Sequence, residues 1–170
     1  DAAKLQRNLY AASSCGICGK ASLEAVQTLT CHFPLRNYPM VPLNVLYTLP
    51  DRLRAAQSGF EQTGGLHAAA LFDPAGNLLY LKEDVGRHNA VDKVLGAALM
   101  GGLSLPFRDV LLLVSGRAGF ELAQKATMAG IPILAAVGAP SSLAVDVAEA
   151  NGLTLIGFLR GARCNVYAHP

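Results

Sequence analysis

The second half of this 170-residue chain alternates short apolar runs with segments of helical spacing. Three runs, 110–114, 131–137 and 153–159, are almost uniformly apolar and have the length of strands. Between them, segments 120–129 and 143–151 repeat apolar residues at the spacing of one helix face. Strands that are apolar on both sides are typical of a parallel sheet covered by helices on both faces. The pattern predicts an α/β protein, a three-layer α/β/α sandwich.

The first half is less regular and adds a hairpin to this plan. Runs 67–72 and 78–81 flank the turn sequence at 73–77, Asp-Pro-Ala-Gly-Asn, and predict two antiparallel strands. The hairpin and a weak last strand make the expected sheet mixed but mainly parallel. The remaining predicted elements are helices over 22–29, 50–62 and 89–99 and a strand over 165–168.

Composition limits the class of protein further. The chain is 52% hydrophobic and 15% charged, with a net charge of +2, which does not favour binding to nucleic acid or an anionic membrane. Four cysteines are too few for a disulfide scaffold, and no run resembles a signal peptide or membrane span. We expect one cytoplasmic α/β domain over 1–170, with a CxxC-bearing lead at 1–22, predicted to be mobile, and a core at 23–170.

The lead contains the strongest chemical signal, a pair of thiols spaced as Cys-x-x-Cys. Cys15 and Cys18 are flanked by Gly16 and Gly19, and Lys20 follows. Glycines leave the sulfurs uncovered, and a nearby cation or helix N-terminus lowers a thiol pKa and so favours the nucleophilic thiolate. Three chemistries use this spacing: dithiol redox exchange, half of a zinc site, and carriage of sulfur as a persulfide.

The rest of the sequence gives little support to zinc or to thioredoxin-like exchange. Zinc deaminases pair P-C-x-x-C with H-x-E, but a serine precedes Cys15 and no glutamate follows His67 at that spacing. Cys31 and His32 are adjacent, so their side chains point apart and rarely bind one ion. A thioredoxin-like pair lies at a strand-to-helix junction, whereas this one precedes the α/β core. We expect no permanently bound metal.

Two glycine-containing loops, 115–119 and 138–142, follow predicted strands and open predicted helices. Free N–H groups at a helix start attract anions, and open α/β sheets bind ligands at the carboxyl ends of their strands. An arginine in the first loop adds a bidentate phosphate partner. Simple tight turns are the alternative interpretation. The candidate ligand-binding residues here are Ser115, Gly116, Arg117 and Lys125, the last expected to point toward the same edge.

Three further polar positions suit the same edge. His88 lies in segment 83–89, which is rich in ionisable and amide side chains, and His67 begins a predicted strand. Segment 158–163 leaves the last strong strand with two arginines around a glycine, which suits phosphates or a guanine edge. An ordinary solvated loop or a hydrogen-bonded structural histidine is the alternative in each case.

Six sequence blocks, taken in order, resemble the FdhD/NarQ family of formate dehydrogenase accessory sulfurtransferases. They are SSCGICGK, TGGLHAAAL, EDVGRHNAVDKVLG, SGRAGFELAQKA, APSSLAV and GLTLIGFLRGARCNVYAHP, and they cover nearly the whole chain. The family has a further N-terminal region, so we expect this chain to be a fragment. Gly119 stands where the family more often has a serine, which weakens any side-chain role at that position.

The resemblance implies a cytidine deaminase-like fold and a role as sulfur carrier. A cysteine desulfurase would load sulfur onto Cys15, with Cys18 as helper. The sulfur would pass to the molybdenum, or tungsten, of a bis-guanine-dinucleotide pterin cofactor before its insertion into formate dehydrogenase. The molybdenum form is Mo-bis(molybdopterin guanine dinucleotide). We also expect a GDP-like nucleotide to bind and the chain to form a homodimer. The matching cofactor-binding stretch is Phe158, Leu159, Arg160, Gly161, Ala162 and Arg163.

A second class of function uses the same residues. The chain would be a cofactor-binding chaperone of formate dehydrogenase, and its two thiols would only sense redox state. The two hypotheses differ in whether Cys15 is required for activation.

Overall fold

Six strands form one mixed sheet in the computed structural model, which describes residues 38–170 of the chain. The order across the sheet is β2–β1–β3–β4–β5–β6. β3, β4 and β5 pair in parallel, whereas β1–β2, β1–β3 and β5–β6 are antiparallel, so β2 to β5 all run in one direction. The strands are β1 (His67–Phe72), β2 (Leu78–Asp84), β3 (Leu111–Val114), β4 (Ile133–Ala136), β5 (Thr154–Arg160) and β6 (Arg163–Ala168).

Helices cover both faces of this sheet and confirm the predicted three layers. Leu46, Leu49 and Leu53 of the first two helices join one buried cluster with alternate residues of the strands. Connections between parallel strands are right-handed, so α4, α5 and α6 lie on the opposite face. The helices are α1 (Leu43–Leu46), α2 (Leu49–Ala56), α3 (Ser58–Thr63), α4 (Arg87–Met100), α5 (Phe120–Met128) and α6 (Ser142–Asn151). Within residues 38–170, none is long and apolar enough to cross a membrane.

The helix predicted over 50–62 is two helices, because a distant carboxylate caps the second one. The chain leaves the helical conformation at Gln57, between α2 and α3. Glu83 of β2 accepts the N–H groups of Gly59 at 2.7 Å and Phe60 at 2.8 Å. These bonds satisfy donors that a new helix start leaves free.

The helix predicted over 89–99 also begins earlier, at Arg87, after Gly86 in extended conformation. Asn89 is therefore inside the first turn rather than the capping residue. Its side-chain amide donates to Asp84 at 3.1 Å. The helix predicted over 22–29 lies outside the described residues.

Backbone hydrogen bonds continue past the carboxyl ends of the parallel strands and join the loops that follow them. The Gly138 N–H donates to the Gly116 carbonyl at 2.9 Å, and the Phe158 N–H donates to the Gly138 carbonyl at 3.0 Å. Ala118 and the segment 139–141 exchange two more bonds, of 3.0 and 3.2 Å. The carboxyl edge of the sheet is therefore a fixed platform rather than a set of independent loops.

Candidate functional site

The loop after β3 is tied to the start of β1. Ser115 donates its N–H to the Ala68 carbonyl at 3.0 Å, and its Oγ accepts the Ala68 N–H at 2.9 Å. A Cβ atom on Gly116 would lie 3.3 Å from Nδ1 of His67. The structure thus brings together three of the predicted ligand residues, His67, Ser115 and Gly116, but Ser115 also holds the sheet edge together.

Arg117 extends along the same edge. A Cβ atom on Gly138 would lie 3.0 Å from Cγ of Arg117, so the arginine stem passes over that glycine. Gly138 follows β4, which lies between β3 and β5, and Arg117 therefore reaches toward the end of β5. Its side chain is exposed, and within residues 38–170 no carboxylate lies within ion-pairing distance of it.

A β-bulge shapes the end of β5. Gly157 pairs with Asn165 and Arg160 with Arg163, so three steps along β5 face only two along β6. Phe158 lies in this bulge with a φ of 53°, in the left-handed region that is costly for a residue with a Cβ atom. Bulges re-aim side chains and occur often beside functional sites.

The bulge and the following turn line two adjoining hollows. The first, of about 300 Å³, is lined by Phe158, Arg160, Arg163, Cys164 and Asn165. The second is more open, about 530 Å³, and is lined by Arg160, Gly161, Ala162 and Arg163. Leu159 is fully buried and belongs to the core cluster. Five residues of the predicted stretch 158–163 therefore line a hollow, and Leu159 anchors the stretch.

A second polar group, which the sequence did not predict as a group, lies where α4 and α5 begin. His88 Nε2 is 3.5 Å from Oε2 of Glu121, and both side chains are largely buried. His88 Nε2 and Arg87 Nε are buried without a hydrogen-bond partner among the described residues. A Cβ atom on Gly119 would lie 2.7 Å from the Glu121 carboxylate, so glycine leaves that carboxylate room. Glu121 is recognised as part of this polar group only from the structure, in which the starts of α4 and α5 lie side by side.

Lys125 does not face the edge, contrary to the expectation from sequence. It forms an ion pair with Asp92 of α4, one helical turn beyond the pair of His88 and Glu121. His88 and Asp92 are four residues apart on α4, and Glu121 and Lys125 are four residues apart on α5, so the two pairs lie on facing sides of the helices. Lys125 therefore holds α4 against α5 and is separated from the hollows at β5.

The acidic residues of segment 83–89 have structural partners. Glu83 caps α3, and Asp84 accepts the Gly86 N–H at 2.9 Å and pairs with Lys93. Lys93, more than the backbone and amide donors, lowers the pKa of Asp84 to about 2. This segment therefore leaves Arg87 and His88 as the residues available to a ligand.

Replacing Asp84 by asparagine is expected to destabilise the fold in neutral solution but not in strong acid. The folded-state pKa of about 2 lies below the ordinary value of 3.8, so the carboxylate stabilises the fold above about pH 4. That contribution is lost as the pH falls toward about 2. Denaturant unfolding across this range measures it, with Asp146→Asn, an exposed position on α6, as control. A difference between wild type and Asp84→Asn that does not change with pH would contradict the assignment.

Gly157 fixes the platform beneath the bulge. A Cβ atom there would lie 2.7 Å from Cδ of Pro140, 3.0 Å from the Tyr167 ring and 3.3 Å from the Gly138 carbonyl oxygen. We expect Gly157→Ala to lower the free energy of unfolding by about 1–3 kcal/mol, the usual cost of overpacking.

Gly96→Ala is the matched control, since nothing lies within 4 Å of a Cβ atom at that position in α4. It should raise the free energy of unfolding by about 0.5–1 kcal/mol, because alanine is the better helix former. Equal effects of the two substitutions in denaturant unfolding would show that Gly157 is not tightly enclosed.

Apart from Lys125, the predicted ligand residues are spread along one edge of the sheet. His67 starts β1 and Phe158 lies in β5, three strand spacings away, or about 14 Å. Arg117 lies between them. The predicted catalytic residues, Cys15 and Cys18, lie outside the described residues, and their roles stay predictions.

Comparisons with known proteins agree over the whole chain. Residues 1–170 match the model of the FdhD/NarQ family. The chain is 65% identical over 166 residues to the sulfur carrier protein FdhD of Streptomyces avermitilis, and the matched region covers 96% of this chain and 58% of that protein. It is 56% identical over 161 residues to the protein of the same name from Mycobacterium tuberculosis, covering 95% and 58%. The chain thus spans less than two thirds of these relatives.

Two solved structures are similar in fold. A formate dehydrogenase accessory protein from Desulfotalea psychrophila superposes with a TM-score of 0.73 at 34% identity, over 82% of this chain and 58% of that one. Guanine deaminase from Nitrosomonas europaea superposes with a TM-score of 0.51 at 17% identity, over 73% and 82%. The second likeness concerns the fold alone and confirms the predicted deaminase-like sandwich.

Proposed function

This chain belongs to the FdhD/NarQ family, and from that premise we propose that it carries sulfur as a persulfide on Cys15 and delivers it to a guanine-containing, phosphorylated cofactor. The observation that carries the proposal is the arginine-lined pair of hollows at the end of β5. It lies in a chain whose relatives, up to 65% identical, are named sulfur carriers.

In full, the proposed activity is that of a sulfurtransferase with two protein partners. A cysteine desulfurase supplies the sulfur, and formate dehydrogenase receives the finished cofactor. The substrate is Mo-bis(molybdopterin guanine dinucleotide). We propose the cytoplasm as the compartment and a homodimer as the working form.

The charge at the end of β5 supports binding of phosphates. Arg160 and Arg163 are exposed, and within residues 38–170 neither has a carboxylate within ion-pairing distance. Unpaired arginines placed side by side match phosphate oxygens, which accept two parallel N–H bonds from one guanidinium. Arg117 reaches toward the same end and adds a third positive charge.

Backbone groups contribute less than the sequence suggested. Four N–H groups of the two loops are already bonded within the fold, those of Ser115, Ala118, Gly138 and Ser141. The phosphates would therefore be held mainly by arginine side chains, while the loops supply a rigid floor.

The sulfur steps follow ordinary thiol exchange. The Cys15 thiolate attacks the outer sulfur of the desulfurase persulfide, which forms a Cys15 persulfide and releases the desulfurase thiolate. The Cys18 thiolate can then attack the inner sulfur of Cys15, which forms a disulfide and releases the outer sulfur as hydrosulfide. A lowered thiol pKa beside Lys20 would favour the first step.

Peptide mass mapping after incubation with a cysteine desulfurase and cysteine tests the proposal. One added sulfur should appear on Cys15 and should be removed by a reductant. Sulfur found only on Cys31, or only on Cys164 of β6, would contradict it.

A further inference from the structure

Resting on the proposed nucleotide site, we propose that Asn165 determines which base binds in the first hollow at the end of β5. Phe158 is the surface on which that base stacks. Asn165 lies outside the stretch 158–163 that the family resemblance marks. The structure nevertheless places it in the wall of the 300 Å³ pocket, beside Phe158 and the two arginines.

The bulge explains why these side chains meet. Asn165 is the cross-strand partner of Gly157, and the extra residue of β5 falls between Gly157 and Arg160. Phe158 keeps its φ of 53° while its N–H donates to the Gly138 carbonyl at 3.0 Å. The phenylalanine is thus held at the pocket by the platform, and its ring remains half-buried. A fixed, partly exposed ring is a surface on which a flat base can stack.

The surroundings of Asn165 leave its acceptor oxygen for the ligand. Its side-chain Nδ2 donates to the Tyr167 hydroxyl at 3.5 Å. The Tyr167 ring is fixed in turn, since it packs against Gly157, 3.0 Å from where a Cβ atom would be. The amide of Asn165 is therefore oriented with its donor toward Tyr167, and among residues 38–170 no donor is bonded to its acceptor, Oδ1.

A free acceptor at this position selects among purine bases. Guanine presents two neighbouring donors on one edge, its ring N1–H and its 2-amino group. Adenine presents an unprotonated N1 there and has only its 6-amino group as donor. Oδ1 of Asn165 can therefore accept from guanine where it would meet a lone pair of adenine. A pocket of about 300 Å³ has the size of a small ligand site and leaves the phosphates to Arg160 and Arg163.

Calorimetry on the 170-residue chain with GDP and ADP tests this assignment. Wild type should bind GDP more tightly than ADP. Asn165→Ala should weaken GDP binding about threefold to tenfold, the effect of one lost hydrogen bond, and should not weaken ADP binding, because the oxygen that faces the adenine lone pair is removed. Asn165→Asp, which keeps an acceptor, should retain the preference for GDP. Phe158→Leu should weaken both nucleotides about equally, because stacking does not depend on the base.

Val166→Ala is the matched control, since Val166 is the exposed neighbour of Asn165 on β6. It should leave both affinities unchanged. Equal losses of GDP and ADP in Asn165→Ala, or no GDP binding by wild type, would overturn the inference.

Sulfur loading of Cys15, measured on the same variants, separates this inference from the proposed function. Normal loading without discrimination by Asn165 would refute only the base assignment. Discrimination by Asn165 without any loading of Cys15 would refute only sulfur carriage.

Discussion

Cys15→Ala is expected to abolish sulfur loading by a cysteine desulfurase. Only a thiolate can attack the donor persulfide, and alanine offers no nucleophile in its place. Cys18→Ala should still be loaded at Cys15 but should release the outer sulfur more slowly, because the second thiol is missing. Protein-bound sulfur, followed by mass spectrometry over time, distinguishes the two effects.

Cys164→Ala is the control for this experiment. Cys164 is half-buried on β6 and packs against the core cluster, which limits the access of a donor persulfide to its thiol. Loading should be unaffected by this substitution. If Cys15→Ala still binds the cofactor and still activates formate dehydrogenase, the chain is a cofactor-binding chaperone whose thiols only sense redox state.

Arg160→Ala is expected to weaken GDP binding about tenfold or more. A charge-assisted bond to phosphate contributes roughly 1.5–3 kcal/mol, and each 1.4 kcal/mol changes a dissociation constant tenfold. The melting temperature should hardly change, since the side chain is exposed and has no acidic partner within residues 38–170. Calorimetry with GDP and a thermal melt of the same sample measure both quantities.

Arg108→Ala supplies the matched comparison. Arg108 is also an exposed arginine, but it precedes β3 and therefore lies toward the opposite edge of the sheet. Its loss should leave GDP binding unchanged. If GDP binds equally well to wild type, Arg160→Ala and Arg163→Ala, the nucleotide site is elsewhere on the chain.

The parallel strands could be predicted from sequence to within about two residues at each end. β3, β4 and β5 are buried on both sides, so burial itself requires an almost continuous apolar run. The break at Gln57 could not be predicted, because the carboxylate that caps α3 is Glu83, 24 residues along the chain from Gly59. Tertiary contacts of this kind leave no local pattern.

In the candidate site, too, some features could be predicted from local sequence and others depend on tertiary contacts. Arginines around a glycine indicated the end of β5, because their residue types alone suit phosphate. The bulge was not predictable, because the residue with positive φ is Phe158 and not Gly157, the glycine before it. Glu121 and the true partner of Lys125 depend on α4 and α5 lying side by side, which periodicity along one helix does not reveal.

The hydrogen bonds that join the strand-end loops also restrict how this edge can change in length. The Gly116 carbonyl is bonded to Gly138, and the Gly138 carbonyl to Phe158. An inserted residue in either loop would shift one partner past the other and break the series. Related chains are therefore expected to vary their ligands by exchanging side chains at this edge, while insertions accumulate elsewhere.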